Sequence, residues 1–261
     1  MASAQEMSRP GEPVDLYYYD GETAKKQAFP TTQNTKYVQS FANLNGGSSV
    51  FTIPPTNGLQ DIVVSMSFAA PGANANLALP RGWGYALVKS VSYRYGGSPQ
   101  FFLSGDQILQ NALRRQTSRT SCDDILTLGG NYATGNDLAN GQSASIVLTL
   151  PHNIPSGVGK AHPLPSDLLT QQVQVTLELY PVGQVWTNTT TGPVVPLPAA
   201  CTTLASAQFQ VQQVMLNNQN DALARRLDMS VNAYAFPCEF VQQKQVIPLA
   251  NSAASQSVVL T

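Results

Sequence analysis

The stretch from Leu87 to Thr117, LVKSVSYRYGGSPQFFLSGDQILQNALRRQT, constrains the fold more than any other part of the chain. It spells a strand, a reversal, a second short strand and a capped helix in succession. Val91, Tyr93 and Tyr95 alternate with Ser90, Ser92 and Arg94, the period-two pattern of a strand with one face buried and the other wet. Gly96 and Gly97 permit the positive backbone angles of a sharp reversal. After Phe101, Phe102 and Leu103, Ser104 is placed to cap a helix, with Gln107 reaching back to complete a capping box. The spacing predicts a helix to Arg115 or Gln116, with Ile108, Leu109, Ala112 and Leu113 as its apolar stripe. Arg114 and Arg115 fall in its last turn, where positive charge complements the helix dipole.

Alternation of the same kind recurs along the chain. Tyr37 to Leu44 and Ser49 to Ile53 flank Asn45-Gly46-Gly47, which predicts a hairpin. Ile62, Val64, Met66 and Phe68 line one face of the next strand, with Ser65 and Ser67 on the other. Ile146, Leu148 and Leu150 mark another, and Val173, Val175, Leu177 and Leu179 alternate cleanly with Gln172, Gln174, Thr176 and Glu178. Near the end, Phe209 and Val211 are followed by Val214 and Leu216; the change of phase at Gln212-Gln213 predicts a β-bulge or a change of sheet face. Pro71 to Pro80, Thr120 to Gln142 and Pro181 to Ala205 are expected to be loops. Trp83, in Pro80-Arg81-Gly82-Trp83-Gly84, is expected to pack in the core or at its rim. The fold class is therefore all-β, and no internal repeat is present.

The Leu87–Thr117 segment resembles the first jelly-roll of the double jelly-roll major capsid proteins of eukaryotic DNA viruses. The matching residues are Leu87, Val88, Lys89, Val91, Tyr93, Tyr95, Gly96 and Gly97, followed by Asp106 at the opening of the helix. Two later segments agree in the same order. Ser145 to Leu179 carries His162, Pro163, Leu164, Pro165, Leu168 and Leu169 at its centre, and Ala207 to Arg226 is similar to the strand and turn that close the first barrel. The resemblance implies an eight-stranded antiparallel jelly-roll sandwich with one prominent short helix and long loops. It makes Gly96, Gly97, Ser104, Asp106, Gln107, Pro163 and Pro165 the fold-determining residues. Residues 1–35 read as an extended N-terminal arm, 36–229 as the barrel, and 230–261 as a linker with the first strand of a second jelly-roll. Sequence leaves open whether the chain is part of a double jelly-roll or a single barrel.

The function implied by the resemblance is self-assembly into capsomers of an icosahedral shell. The partners are then copies of the chain in a homotrimer, neighbouring capsomers, and penton and minor capsid proteins. The place would be the virion, assembled in the host cytoplasm or nucleus. Tyr17, Tyr18 and Tyr19 make a poor solvent-facing run, so part of the arm is expected to dock as an interface. Two alternatives stand beside this: a single jelly-roll vertex protein forming pentamers, and a carbohydrate-binding jelly-roll with Trp83 or Trp186 as a sugar platform.

Chemistry-bearing motifs give no catalytic, cofactor or metal site. Gly159-Lys160 lacks the other residues of a phosphate loop: Ile154 stands where a glycine is required, and Ala161 where a hydroxyl is. His152 and His162 have neither HxxxH nor HExxH spacing. Asp123-Asp124 reads as a solvated turn, and Arg114-Arg115 and Arg225-Arg226 as a helix end and a turn. Cys122, Cys201 and Cys238 are too far apart to suggest a disulfide framework or a zinc site, which favours buried free thiols. Asn188-Thr189-Thr190 is a formal glycosylation sequon that reads as a polar loop. Formal net charge is −1 and charged residues are 11% of the chain, outnumbered by Asn and Gln. Such a surface does not suit phosphate neutralisation, so direct nucleic-acid binding is not expected. Neutral polar groups instead lose little on burial at subunit contacts. The N-terminal MASAQEMSRPGEPVD has no apolar core of a signal peptide, and no run is long enough for membrane insertion as a helix.

Overall fold

Residues that alternate apolar and polar become strands, and the pairing of those strands is antiparallel throughout. The computed structural model describes residues 32–72, 74–95, 101–114, 116, 118–148, 164–169, 171–188 and 196–216. The elements are β1 (Thr32–Ser40), β2 (Gly47–Ile53), β3 (Gly58–Ser67), β4 (Asn74–Leu79), α1 (Trp83–Leu87), β5 (Val88–Arg94) and β6 (Phe101–Ser104). They continue with α2 (Gly105–Arg114), α3 (Arg119–Leu128), β7 (Ala133–Gly135), β8 (Ser143–Leu148), β9 (Val173–Leu179), β10 (Thr187–Asn188), α4 (Ala199–Thr202) and β11 (Ser206–Leu216). Two four-stranded sheets, in the orders β1-β11-β3-β8 and β2-β9-β5-β6, make the sandwich, and β10-β4-β7 form a small third sheet.

Leaving the third sheet aside, the strands pair from the outside inward: β1 with β11, β2 with β9, β3 with β8 and β5 with β6. Such nested pairing is one long antiparallel ribbon rolled up on itself, and the contacts β11–β3 and β9–β5 seal the roll. This is a jelly-roll. Its interior is filled by the expected alternating sets: Ile62, Val64, Met66 and Phe68 from β3 and the segment after it, Ile146 and Leu148 from β8, and Val173, Val175, Leu177 and Leu179 from β9. Phe51 of β2 stacks on Phe209 of β11 with ring centroids 4.1 Å apart, which ties one sheet to the other. Phe41 meets the edge of Phe51 at 4.9 Å. Trp83 is fully buried against Phe68, as a core residue should be.

The two ends of the roll differ. At one end Thr32 pairs with Leu216, Gly58 with Val214, Ile62 with Leu148, Ile53 with Val173 and Arg94 with Gln174. The connections β2–β3, β5–β6 and β8–β9 therefore lie at this one end, with the start of β1 and the finish of β11. At the opposite end, α1 and α3 pack against β8 and α2 against β5 and β6, so the helices lie there and along that flank.

Several expectations are corrected. Asn45-Gly46-Gly47 is not a hairpin tip, because β1 and β2 belong to different sheets. The glycines do reverse the chain, with φ of 109° and 95° at Gly46 and Gly47. A Cβ on Gly46 would lie 2.5 Å from the Tyr180 carbonyl oxygen. The turn chemistry dictates a reversal but not a partner, and the neighbouring backbone bonds elsewhere: Phe41 N to Ala207 O at 3.1 Å and Leu204 N to Leu44 O at 2.9 Å. Within Pro71–Pro80, Asn74–Leu79 is strand β4, with Leu77, Ala78 and Leu79 buried. Within Thr120–Gln142 lies most of α3, capped by Ser118, so a second ten-residue helix accompanies the expected one. Pro181–Ala205 contains β10 and α4. The bulge is present, between Val211 and Gln213, yet the extra residue is on the partner strand: Val211 faces Ile62 and Gln213 faces Leu59. Gln213 keeps the inward phase of Phe209 and Val211, and Val214 is buried on the other face. The paired strand β1 already starts at Thr32.

Stability is expected to follow this geometry in urea denaturation. Phe209→Ala removes one member of the intersheet stack and should cost about 3–5 kcal/mol. At Gly105 a Cβ would lie 2.1 Å from the Val88 carbonyl oxygen, so Gly105→Ala should cost about 1–3 kcal/mol by overpacking.

Candidate assembly surfaces

With the apolar residues turned inward, the outward rows of the two sheets become the candidate functional surface. On the β1-β11-β3-β8 sheet the register aligns Val38, Gln210, Val63 and Val147 in one row across all four strands. The next row is Ser40, Gln208, Ser65 and Ser145, and the one beyond it Ser206, Ser67 and Ser143. None of these side chains is charged. Hydroxyls join them laterally, Ser65 Oγ to Ser145 Oγ at 3.3 Å and Ser67 Oγ to Ser206 Oγ at 2.8 Å. These rows of Val, Ser and Gln, bordered on β1 by the exposed Lys36, can be covered by another protein surface without desolvating an ion.

The β2-β9-β5-β6 sheet presents Val50, Thr176, Ser92 and Phe102 in one row. Val50 and Phe102, at its two edges, are 62% and 61% exposed. The following row carries a charged group: Lys89 Nζ donates to Glu178 Oε1 at 2.6 Å, and Ser90 Oγ donates to Glu178 Oε2 at 3.2 Å. The bond from Lys89 holds the Glu178 carboxyl below the usual range, and the bond to Glu178 raises Lys89 above the usual amine range.

Two polar clusters position the loops. At the end where β8 and β11 finish, Thr56 is fully buried: its backbone N–H donates to Ser166 Oγ at 3.0 Å and its hydroxyl to Val214 O at 3.1 Å. Asn57 Nδ2 donates to Asp167 Oδ2 at 2.9 Å, and Asp167 N to Thr56 O at 3.1 Å. At the helical end, Arg81 clamps α3 by donating to Asp123 Oδ1 at 3.1 Å, Asp123 O at 2.8 Å and Thr127 Oγ1 at 2.8 Å. Among the described residues, no group of three or more His, Cys, Asp or Glu side chains is arranged to hold a metal ion. Cys201 is buried, which pushes its thiol up to about 11, and Cys122 is partly buried. Burial likewise raises the Tyr93 hydroxyl.

The residues singled out from sequence divide accordingly. Ser104 and Gln107 form the reciprocal capping box, with Gln107 N donating to Ser104 Oγ at 3.3 Å and Ser104 N to Gln107 Oε1 at 2.9 Å. Asp106 sits exposed in the first turn of α2. Pro165 is buried and leads into the single 3-10 turn Ser166–Leu168 that carries the Thr56 cluster. Asp123 and Asp124 lie on α3 instead of in a turn. Gly96, Gly97, Pro163, Tyr17, Tyr18 and Tyr19 lie outside the described residues, as do His152, His162 and Cys238. Sequence reading passed over Thr56, Asn57, Ser166 and Asp167, whose partners are far apart in the chain; Ser166-Asp167 directly after Pro165 is the one local sign of a structured turn.

Arg81→Ala should speed amide exchange across α3 by the equivalent of about 1 kcal/mol of local opening, with the barrel amides unchanged. The Glu178 contribution is present above the ordinary carboxylate range and is lost as pH falls through its lowered value. That of Lys89 is present below the ordinary amine range and lost as pH rises through its raised value. Glu178→Gln should therefore flatten the acid limb of a melting-temperature profile, and salt should shrink the difference, because the pair is exposed.

No protein-family model matches the chain, and no curated protein does. Solved structures do. The chain is similar to VP54 of PBCV-1, as fitted into a reconstruction of the virophage Sputnik, at 13% identity and a TM-score of 0.55, covering 76% of this chain and 46% of that one. A quasi-atomic structure of the PBCV-1 virus capsid gives 14% identity and a TM-score of 0.54 over the same shares. The Faustovirus major capsid protein gives 9% and 0.50, covering 77% of this chain and 57% of that one. The chain thus spans about half the length of these proteins. At such identities the likeness is one of fold, and with the nested strand order it shows that this chain carries a jelly-roll similar in fold to these capsid proteins.

Proposed function

We propose that the chain is a structural protein of a virus shell, whose activity is to bind copies of itself. The observation that carries this reading is the rolled ribbon itself, whose fold is similar over three quarters of the chain to that of capsid proteins. The uncharged rows on the outer face of the β1-β11-β3-β8 sheet support it, since repeated contacts of a shell need broad surfaces that are cheap to desolvate. In this reading three chains form a capsomer, neighbouring capsomers meet through loops and outer faces, and penton and minor capsid proteins complete the shell. The product is a virion, built in the host cytoplasm or nucleus. The residues before Thr32, with Tyr17, Tyr18 and Tyr19, serve as an arm that docks on a neighbour.

The carbohydrate-binding alternative loses its platforms: Trp83 and Trp186 are 0% and 7% exposed and both pack against Phe68. The vertex alternative differs in number of subunits. Sedimentation equilibrium of the soluble chain, followed by particle imaging, separates the three readings. A trimer that grows into shells is the expected result. A pentamer would assign the chain to the vertex, and a strict monomer with glycan affinity would overturn the shell reading.

A further inference from the structure

The edges of the two sheets are unequally protected. On one flank β8, β5 and β6 lie against α1, α2 and α3. On the other, β1 and β2 end their sheets, each with one paired neighbour and, among the described residues, no strand beyond. An end strand offers a row of free N–H and C=O groups, and soluble proteins guard such rows with charge, Pro or a bulge. β1 has its guard, because its central residue is the exposed Lys36. Two copies of β1 paired about their centres would set lysine against lysine.

β2, Gly-Ser-Ser-Val-Phe-Thr-Ile, has neither charge nor proline. Its central residue is Val50, the most exposed of the large apolar side chains among the described residues. Antiparallel pairing of two β2 strands about that centre places Val50 beside the second copy's Val50 on the outer face. It also places each Ser48 beside a Thr52, a hydroxyl pair that sheets favour. Glu178 is the one charged residue of the adjoining β9, and Lys89 already neutralises it. At the strand's start Asn43 Nδ2 donates to the β2 backbone at Ser48 O, 3.4 Å away.

We infer that β2 is a self-pairing edge: two copies join antiparallel through Gly47–Ile53, about a two-fold axis at Val50, and fuse their β2-β9-β5-β6 sheets into one. The contact is isologous, each copy giving and receiving the same groups. It stands whether or not the copies go on to build a shell.

The test uses the full chain carrying Val50→Cys under mild oxidation, with Val38→Cys on β1, an exposed site that leaves Lys36 in place, as the control. A disulfide linking position 50 to position 50 is expected, since directly opposed antiparallel residues lie within disulfide range, and none at position 38. Val50→Lys, at an exposed site, should leave the melting temperature of the dilute, unpaired chain unchanged and raise the dissociation constant of the pair by about tenfold or more. The amides of Gly47–Ile53 should gain exchange protection with protein concentration. Protection independent of concentration would assign the edge to another segment of the same chain and overturn the inference. Larger oligomers of the Val50→Cys chain that form no cross-link at that position would overturn it and leave the shell reading standing. A cross-linked pair that never grows beyond two copies would uphold it and sink the shell reading.

Discussion

The apposition of two inward-facing apolar sheets is the constraint on which everything else rests. Each sheet alone exposes a greasy face; together they bury Phe51, Ile53, Val64, Val175, Leu177, Phe209 and Val211 almost completely. The near-parallel Phe51–Phe209 stack joins strands that are far apart in the chain, one near its start and one near the end of the described residues. Burial of this kind scales with area and needs no specific partner, so the sheets are free to differ entirely on their outer sides. That freedom is what lets the same barrel present uncharged Val, Ser and Gln rows on one face and the Lys89–Glu178 pair with Arg94 on the other.

Closure of the roll at its helical end depends on small residues meeting large ones. Gly82 N and Gly84 N donate to the carbonyls of Gly130 and Gly129 at 2.6 and 2.8 Å, which brings the end of α3 against α1 and the buried Trp83. Around Phe68, Trp83 and Trp186 gather from two separate connections. The helices are thus not ornaments on loops but the lid on one end of the core. Arg81, held by both Asp123 and Thr127, fastens that lid from outside.

Much of this was readable in the sequence where the signal is local. The alternation in β3 and β9, the Ser104–Gln107 capping box and the irregularity near Gln212 each involve residues close together in the chain, and each is present. Pairing was less readable, because partners are chosen by the whole ribbon. Asn45-Gly46-Gly47 has hairpin chemistry yet joins two sheets, and the extra residue of the bulge is on β3, opposite the strand whose pattern betrayed it. β4 was hidden by the Ala, Asn and Gly around Leu77 and Leu79, and α3 by the Ser, Thr and Asp residues that lower its helix propensity. The Thr56–Ser166 and Asn57–Asp167 contacts join positions more than a hundred residues apart, a separation across which no motif can be read.

The layout of the connections bears on how such a chain can change. The connections β2–β3, β5–β6 and β8–β9 meet at a single pole, with the start of β1 and the finish of β11, and the Thr56 cluster pins the backbone there. A change in the length or sequence of one of these connections therefore meets a polar, fastened boundary before it reaches the hydrophobic interior, while the opposite end is closed by its helices.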